Sequence, residues 1–247
     1  WRRELVRRDR MWEIDGSQIM SENVFVASGH LASFADPIAT CTKCKSICRA
    51  DKMIAEITSI IVPENANLEE FDKIIAEKKI VCTKCKGSLE NIKKFNMMFK
   101  VGIGAQGEPA YLRPETCQSI FVDFPRLFKT MRGKLPIGIA QIGKSFRNEI
   151  SPRQSLLRLR EFYQAEIEVF CNPSKLDDLP KFSEVENTHI RIMVDDTIKS
   201  MTCKEALDSG IVPNKLVAYY LGLLVEFYQK TGIDVARSRF RKLGEKE

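Results

Sequence analysis

The sequence predicts an α+β fold, with an antiparallel sheet flanked by helices and interrupted by a small Cys-x-x-Cys insertion. Three patterns point there. From Leu157 to Val169 the side chains alternate: Arg158, Arg160, Phe162, Gln164 and Glu166 share one face, while Leu157, Leu159, Tyr163, Ala165, Ile167 and Val169 form an apolar underside. Ile137–Phe146 reads as the incoming strand, and Ser151-Pro152-Arg153-Gln154 supplies turn chemistry between the two. Leu216, Tyr219, Tyr220, Leu223, Leu224 and Phe227 instead recur at the spacing of a helix with one buried stripe.

A chain of 247 residues accommodates one large domain, or one domain with an insertion. Its 44% hydrophobic content is that of a folded globule, and its net charge of +6 favours polyanions without identifying one. No apolar run is long enough to span a bilayer, which excludes helical membrane classes. The opening Trp1–Arg10 segment is too charged for a secretory signal. Eight cysteines, four of them in Cys-x-x-Cys pairs, suit a metal site in a reducing compartment better than a disulfide framework, so a cytoplasmic location is expected.

Taken in order, residues 1–22 read as a charged helix followed by a strand over Trp12–Ile19. Val24–Pro37 reads as a loop and helix leading to the first cysteines. Cys41, Cys44, Cys82 and Cys85 form two near-identical knuckles, Cys-Thr-Lys-Cys, able to place four thiolates around a structural Zn2+. Four thiolates leave no open position, so a catalytic zinc is not expected; Cys48 is an alternative ligand. Between the knuckles, Asn67 caps an amphipathic helix carrying Leu68, Phe71, Ile74 and Ile75. The insertion should lose much of its order without metal. Domain boundaries are accordingly expected at 1–40 (N-terminal part of the core), 41–88 (zinc-binding insertion) and 89–247 (remainder of the core).

Ile92–Val101 links the insertion to the core. Gly102-Ile-Gly-Ala-Gln-Gly107 reads as a turn rather than a dinucleotide fingerprint, because Pro109 follows and no helix begins there. Pro114 suits the first turn of a helix running through Cys117–Phe124. Glu115 is then either a first-turn carboxylate answering the helix dipole or a substrate ligand. Residues 174–212 are charged and read as mostly helical; neither His189 nor His30 is assigned a role. Pro213 opens the strong helix, Gly232 closes it, and Arg237–Leu243 reads as a strand.

The hairpin carries the chemistry. Arg147, Glu149, Arg158, Phe162 and Glu166 line up over about 13 Å of strand, a length that fits a nucleotide beside a small charged molecule. An arginine fork can neutralise a phosphate, a phenyl ring offers adenine a flat surface, and a carboxylate accepts from an exocyclic amine. The same pattern also fits a surface hairpin laced with ion pairs. Spacing suggests no Ser–His or Cys–His nucleophile.

Phe146-Arg147-Asn148-Glu149, a loop, and Arg158-Leu159-Arg160-Glu161-Phe162-Tyr163-Gln164-Ala165-Glu166 are similar to motif 2 of class II aminoacyl-tRNA synthetases. Tyr111-Leu112-Arg113-Pro114-Glu115-Thr116-Cys117-Gln118-Ser119-Ile120-Phe121 resembles the Arg-Pro-Glu-Thr-Ala-Gln-Gly-Ile-Phe segment of glycyl-tRNA synthetases. So do Arg147–Arg153, Ala27-Ser28-Gly29-His30 and Phe34-Ala35-Asp36-Pro37, and the cysteines suit the archaeal and eukaryotic type. Cys117 and Ser119 depart from the commoner Ala and Gly, but both are small.

The resemblance implies a class II catalytic core, a motif 1-like segment near Trp12–Ile19 serving a homodimer interface, and further chain beyond residue 247. That missing part would hold motif 3 and the anticodon-binding domain, which would make this a catalytic-core fragment. It implies activation of glycine by ATP with Mg2+ and transfer to tRNA-Gly. Arg147, Glu149 and Arg158 would be catalytic. Asn148, Leu159 and Phe162 would join them in binding ATP, and Glu115 and Glu166 would hold glycine. A synthetase-like ATP- and tRNA-binding module without catalysis is the alternative. A zinc-ribbon nucleic-acid binder would leave the Arg147–Glu166 pattern unexplained.

Overall fold

The computed structural model describes residues 1–63, 66–150 and 157–242. Among the described residues there are twelve strands and seven helices. The strands are β1 (Trp12–Ile14), β2 (Ile19–Ser21), β3 (Ala35–Cys41), β4 (Ile47–Arg49), β5 (Leu89–Asn96) and β6 (Phe99–Ile103). They continue with β7 (Glu108–Leu112), β8 (Ile137–Phe146), β9 (Glu161–Phe170), β10 (His189–Val194), β11 (Thr197–Thr202) and β12 (Phe240–Arg241). The helices are α1 (Glu22–Ala27), α2 (His30–Ser33), α3 (Ala50–Thr58), α4 (Leu68–Glu77), α5 (Cys117–Thr130), α6 (Cys203–Asp208) and α7 (Lys215–Lys230).

The chain divides into two units. One comprises Trp1–Ile14, Arg126–Ala140 and Ile167–Glu247; the other comprises Asp15–Pro125 and Gln141–Glu166. In the first, α7 buries Tyr219, Leu223 and Val225 against Val185, Ile190, Ile192 and Cys203. α7 starts at Lys215 rather than at Pro213, with Asn214 capping it by accepting from Val217 N at 2.9 Å, and Gly232 follows its end in the left-handed region (φ 81°), the stop the sequence predicts. Gly222 has no room for a side chain: an added Cβ would lie 2.7 Å from the Val185 Cβ. A sheet of order β11-β10-β12 completes this core.

In the second unit, Met20, Phe25, Met98 and Tyr111 form one core beneath the sheet β2-β7-β6. Gly102–Gly107 makes the β6–β7 turn as predicted, with Gly104 (φ 68°) and Gly107 (φ 70°) in the left-handed region. The sheet β4-β3-β5 backs a second core of Ala50, Met53, Ile54, Phe71 and Ile75 from α3 and α4. Asn67 caps α4 through Glu69 N at 3.4 Å. The fourth sheet has the order β1-β8-β9 and is not confined to this unit, with β8 spanning the predicted Ile137–Phe146.

Several expectations need correction. The strand over Trp12–Ile19 is two strands, because β1 joins β8 and β2 joins β7. Gly16 lies between them, where a side chain would collide with Ser119. Residues 174–212 are not mostly helical. β10 and β11 pair antiparallel there about a two-residue turn of Asp195 (φ 48°) and Asp196 (φ 58°), and β-branched and apolar alternation outweighs the charge. A capping box of Thr202 and Glu205 then starts α6.

Only Phe240–Arg241 of the predicted last strand pairs, parallel to β10; Arg237 lies in a 3-10 turn and Leu243 outside the described residues. Pro114 precedes α5, which starts at Cys117, so Glu115 is not a first-turn carboxylate. The segment around Val24–Pro37 is two short helices, and Pro37 already belongs to β3. β9 begins at Glu161, three residues after the predicted start. Its expected apolar underside is open up to Tyr163: Leu157 is 89% and Tyr163 72% exposed. The Lys144 ammonium lies 5.9 Å from the Tyr163 ring, and only further along do Ile167 and Val169 pack into an apolar cluster. The predicted Ser151–Gln154 turn lies outside the described residues.

Arg113 is fully buried. Its guanidinium donates to the carbonyls of Lys144 (2.9 Å) and Gly16 (3.0 Å), while its backbone N–H donates to Gln18 O (2.9 Å) and its carbonyl accepts from Phe146 N (2.9 Å). Replacing it by Ala strands the Lys144 and Gly16 carbonyls, and we expect a loss of about 3 kcal/mol in urea unfolding.

Candidate active site

The second unit contains a cavity of about 550 Å³ lined by Phe34, Asp36, Arg49, Lys52, Met97, Arg147, Glu149, Leu157, Arg158, Leu159 and Phe162. Five predicted residues thus meet here: Arg147, Glu149, Arg158, Leu159 and Phe162. β8 delivers Arg147 just past its end, and Arg147 N donates to Arg160 O at 2.9 Å, tying it to the start of β9. The Arg147 guanidinium carbon sits over two phenyl rings, 5.3 Å from the Phe162 centroid and 5.5 Å from that of Phe34. Its Nε donates to Pro114 O at 3.2 Å. Glu149 lies 3.6 Å from Arg158, so acid and base stand side by side. Asn148 does not line the cavity; its N–H donates to Met97 O at 2.8 Å and fixes the backbone there.

The other two predicted carboxylates form a separate cluster. Glu115, Cys117 and Glu166 place acceptor or thiol atoms within 4.8 Å of one another. One Glu166 oxygen accepts from the Thr116 N–H at 2.7 Å and from the Thr116 hydroxyl. Glu115 Oε1 is 3.1 Å from His30 Nε2 and accepts from Gln118 Nε2 at 2.7 Å. The His30 contact, with smaller help from Gln118 and Cys117 and against the effect of burial, lowers the Glu115 pKa to about 2. Glu115 is therefore an anion at neutral pH. Ser119 anchors the start of α5, donating to Thr116 O at 3.0 Å and accepting from the Gln141 amide at 2.8 Å; the Gln141 carbonyl then turns toward Arg113.

Cys41, Cys44, Cys82 and Cys85 converge, their sulfurs all within 4.8 Å of one another. Cys41 and Cys85 are 3.4 Å apart, and Cys44 and Cys82 3.7 Å. A tetrahedral metal with thiolate bonds of about 2.3 Å separates its sulfurs by about 3.8 Å, so the donor set fits a metal ion. Gly87 has no room for a side chain beside it, since an added Cβ would lie 2.8 Å from Lys43 Cβ and 2.9 Å from Cys41 Sγ. The Ser46 hydroxyl, followed by backbone N–H groups of Cys85 and Lys84, lowers the Cys82 pKa to about 6, whereas against the Gly87 backbone N–H the neighbouring thiols push that of Cys85 up to about 11. Cys48 is outside this group and donates to Ala39 O at 3.6 Å.

Sequence reasoning missed His30, Phe34, Asp36, Arg49, Lys52 and Thr116. The words Ala27–His30 and Phe34–Pro37 contained a usable signal, because a histidine beside an apolar-aromatic run had to face something. Arg49 and Lys52 carried none, since only the pairing of β3 with β4 brings them to the cavity.

With this geometry in hand, residues 99–200 match the family described as tRNA synthetase class II core domain (G, H, P, S and T). Over those residues the fold is that of a class II tRNA synthetase core domain. More particularly, the chain is similar to glycine–tRNA ligases. That of Methanothrix thermoacetophila is 42% identical, covering 98% of this chain and 42% of the relative. The Pyrococcus abyssi enzyme is 44% identical (97% and 43% covered), and that of Thermococcus gammatolerans is 43% identical (97% and 43%). The chain thus spans less than half the length of the curated relatives it matches. No helix among the described residues is long and apolar enough to cross a membrane.

The depressed Glu115 pKa predicts a pH dependence. Its stabilising contribution is fully present above the unfolded value near 4.5 and is lost as pH falls from there through about 2. The stability difference between the wild type and Glu115→Gln, followed by urea unfolding, should shrink across that window. His30→Ala should move the window upward.

Proposed function

We propose that this chain carries the adenylate-forming site of a glycine–tRNA ligase. The observation that supports this best is Arg147: it stands over two aromatic rings in the cavity and reaches Pro114 O, one residue from the Glu115–Glu166 cluster. One side chain thereby adjoins both a nucleotide-sized space and a place for a small cation.

In this reading adenine stacks against Phe162 and Leu159, with its amino group toward Glu149, and Asn148 holds the backbone that carries both neighbours. Arg147 takes the α-phosphate and Arg158 the outer phosphates. Glu149 and Arg158 are 3.6 Å apart, so a base at one and a phosphate tail at the other require a nucleotide folded back on itself. The glycine ammonium sits between Glu115 and Glu166, where the anionic Glu115 offsets its desolvation. Thr116 occupies one Glu166 oxygen and leaves the other for the ammonium. Glycine would be selected by excluding anything larger.

The glycine carboxylate attacks the α-phosphorus, the bond to pyrophosphate breaks, and glycyl-adenylate forms. The terminal adenosine hydroxyl of tRNA-Gly then attacks the glycyl carbonyl and AMP leaves. No enzyme nucleophile is required; the rate comes from positioning and charge stabilisation. Mg2+, when bound with ATP, would supply charge neutralisation at the phosphate oxygens. Cys41, Cys44, Cys82 and Cys85 hold a structural Zn2+. We further propose that the enzyme is a cytoplasmic homodimer, a reading supported by its motif 1-like segment and its Cys-x-x-Cys pairs.

Amino-acid-dependent ATP–pyrophosphate exchange over a panel of amino acids tests the assignment. We expect exchange with glycine alone, its loss in Arg147→Ala, and in Glu166→Gln a raised glycine requirement with ATP affinity unchanged. Exchange that ignores glycine, or survives Arg147→Ala, would refute the assignment. Metal analysis should find one zinc per chain and less in Cys82→Ser, with a lower unfolding temperature; zinc-free wild type would overturn the metal reading.

A further inference from the structure

α3 follows β4 directly, so the segment leaving the first cysteine knuckle is carried back to the nucleotide-sized cavity. Two of its cations line that cavity, Arg49 and Lys52. Arg49 is already committed: it pairs with Asp36 at 2.8 Å and with both oxygens of Asp51, at 2.6 and 3.1 Å. Arg158 is beside Glu149, and Arg147 is engaged with Phe34, Phe162 and Pro114. Among the described residues, no carboxylate pairs with Lys52.

A second cavity of about 400 Å³ shares Arg49, Lys52, Glu149 and Arg158 with the first and adds Glu56 and Lys84. The shared residues mark the end of the nucleotide cavity where it adjoins the second, which neither Phe34 nor Arg147 lines. That is the end where the reading above places the outer phosphates. A triphosphate tail there meets Arg158, whose charge is shared with Glu149. A flexible, uncommitted ammonium answers the remaining charge.

We propose that Lys52, delivered by the Cys-x-x-Cys insertion, contacts the terminal phosphates of ATP, so that the insertion forms part of the nucleotide site. This rests on the nucleotide reading of the cavity. ATP and AMP affinities, measured by calorimetry on the metal-loaded full chain, test both. Lys52→Ala should weaken ATP by about fivefold or more, as expected for a partly solvated charged contact, and leave AMP unchanged. Lys52→Arg should retain ATP affinity, and Lys73→Ala on α4 should alter neither. Normal AMP binding also certifies that the variant is folded. Unchanged ATP affinity in Lys52→Ala, or equal loss of ATP and AMP, would overturn the proposal while the nucleotide reading stands on the wild type. A wild type that binds neither nucleotide would remove both.

Discussion

A buried guanidinium paired with no carboxylate among the described residues organises the second unit. Arg113 is enclosed completely, and burial pulls its pKa down. Backbone carbonyls of Gly16 and Lys144 satisfy it instead. Three stretches far apart in sequence, around residues 16, 113 and 144, are thereby fixed to one another. The two site clusters hang from that junction: Pro114 and Glu115 follow Arg113, and Arg147 follows the end of β8. An arginine can do this because its planar fork reaches several acceptors at once, which an ammonium on the same stem could not.

What was legible in the sequence was local. The ten residues of β8, the cap of α4, the glycine stop after α7, the glycine turn before β7 and the four converging cysteines each announce themselves within a short window. The alternation from Phe162 to Glu166 likewise put the right side chains on one face. The failures were also local rules applied where tertiary context decided. Charge along residues 174–212 suggested helix, yet the β10–β11 hairpin buries Ile190 and Ile192 within a core that α7 supplies. Leu157 and Tyr163 are apolar positions of a strand and yet stand in solvent, since alternation says which residues share a face and not which face is covered.

The candidate site residues divide in the same way. Arg147, Glu149, Arg158 and Phe162 belong to one hairpin and could be found together. His30, Arg49 and Lys52 reach the site from helices and strands that only the folded topology brings near. Thr116 was hidden differently: it sits beside a predicted ligand, and its role is to hold an oxygen of Glu166 by both its N–H and its hydroxyl. Supporting groups of this kind carry no pattern of their own, because any small hydroxyl residue looks the same in sequence.

Gly143 touches the Arg113 guanidinium so closely that any added carbon would displace it. Neither position is therefore free to drift alone. A larger residue at 143 could be inherited only alongside a smaller one at 113, and that in turn would release the carbonyls of Gly16 and Lys144. The space at this bare backbone position on β8 is thus set by a side chain thirty residues upstream.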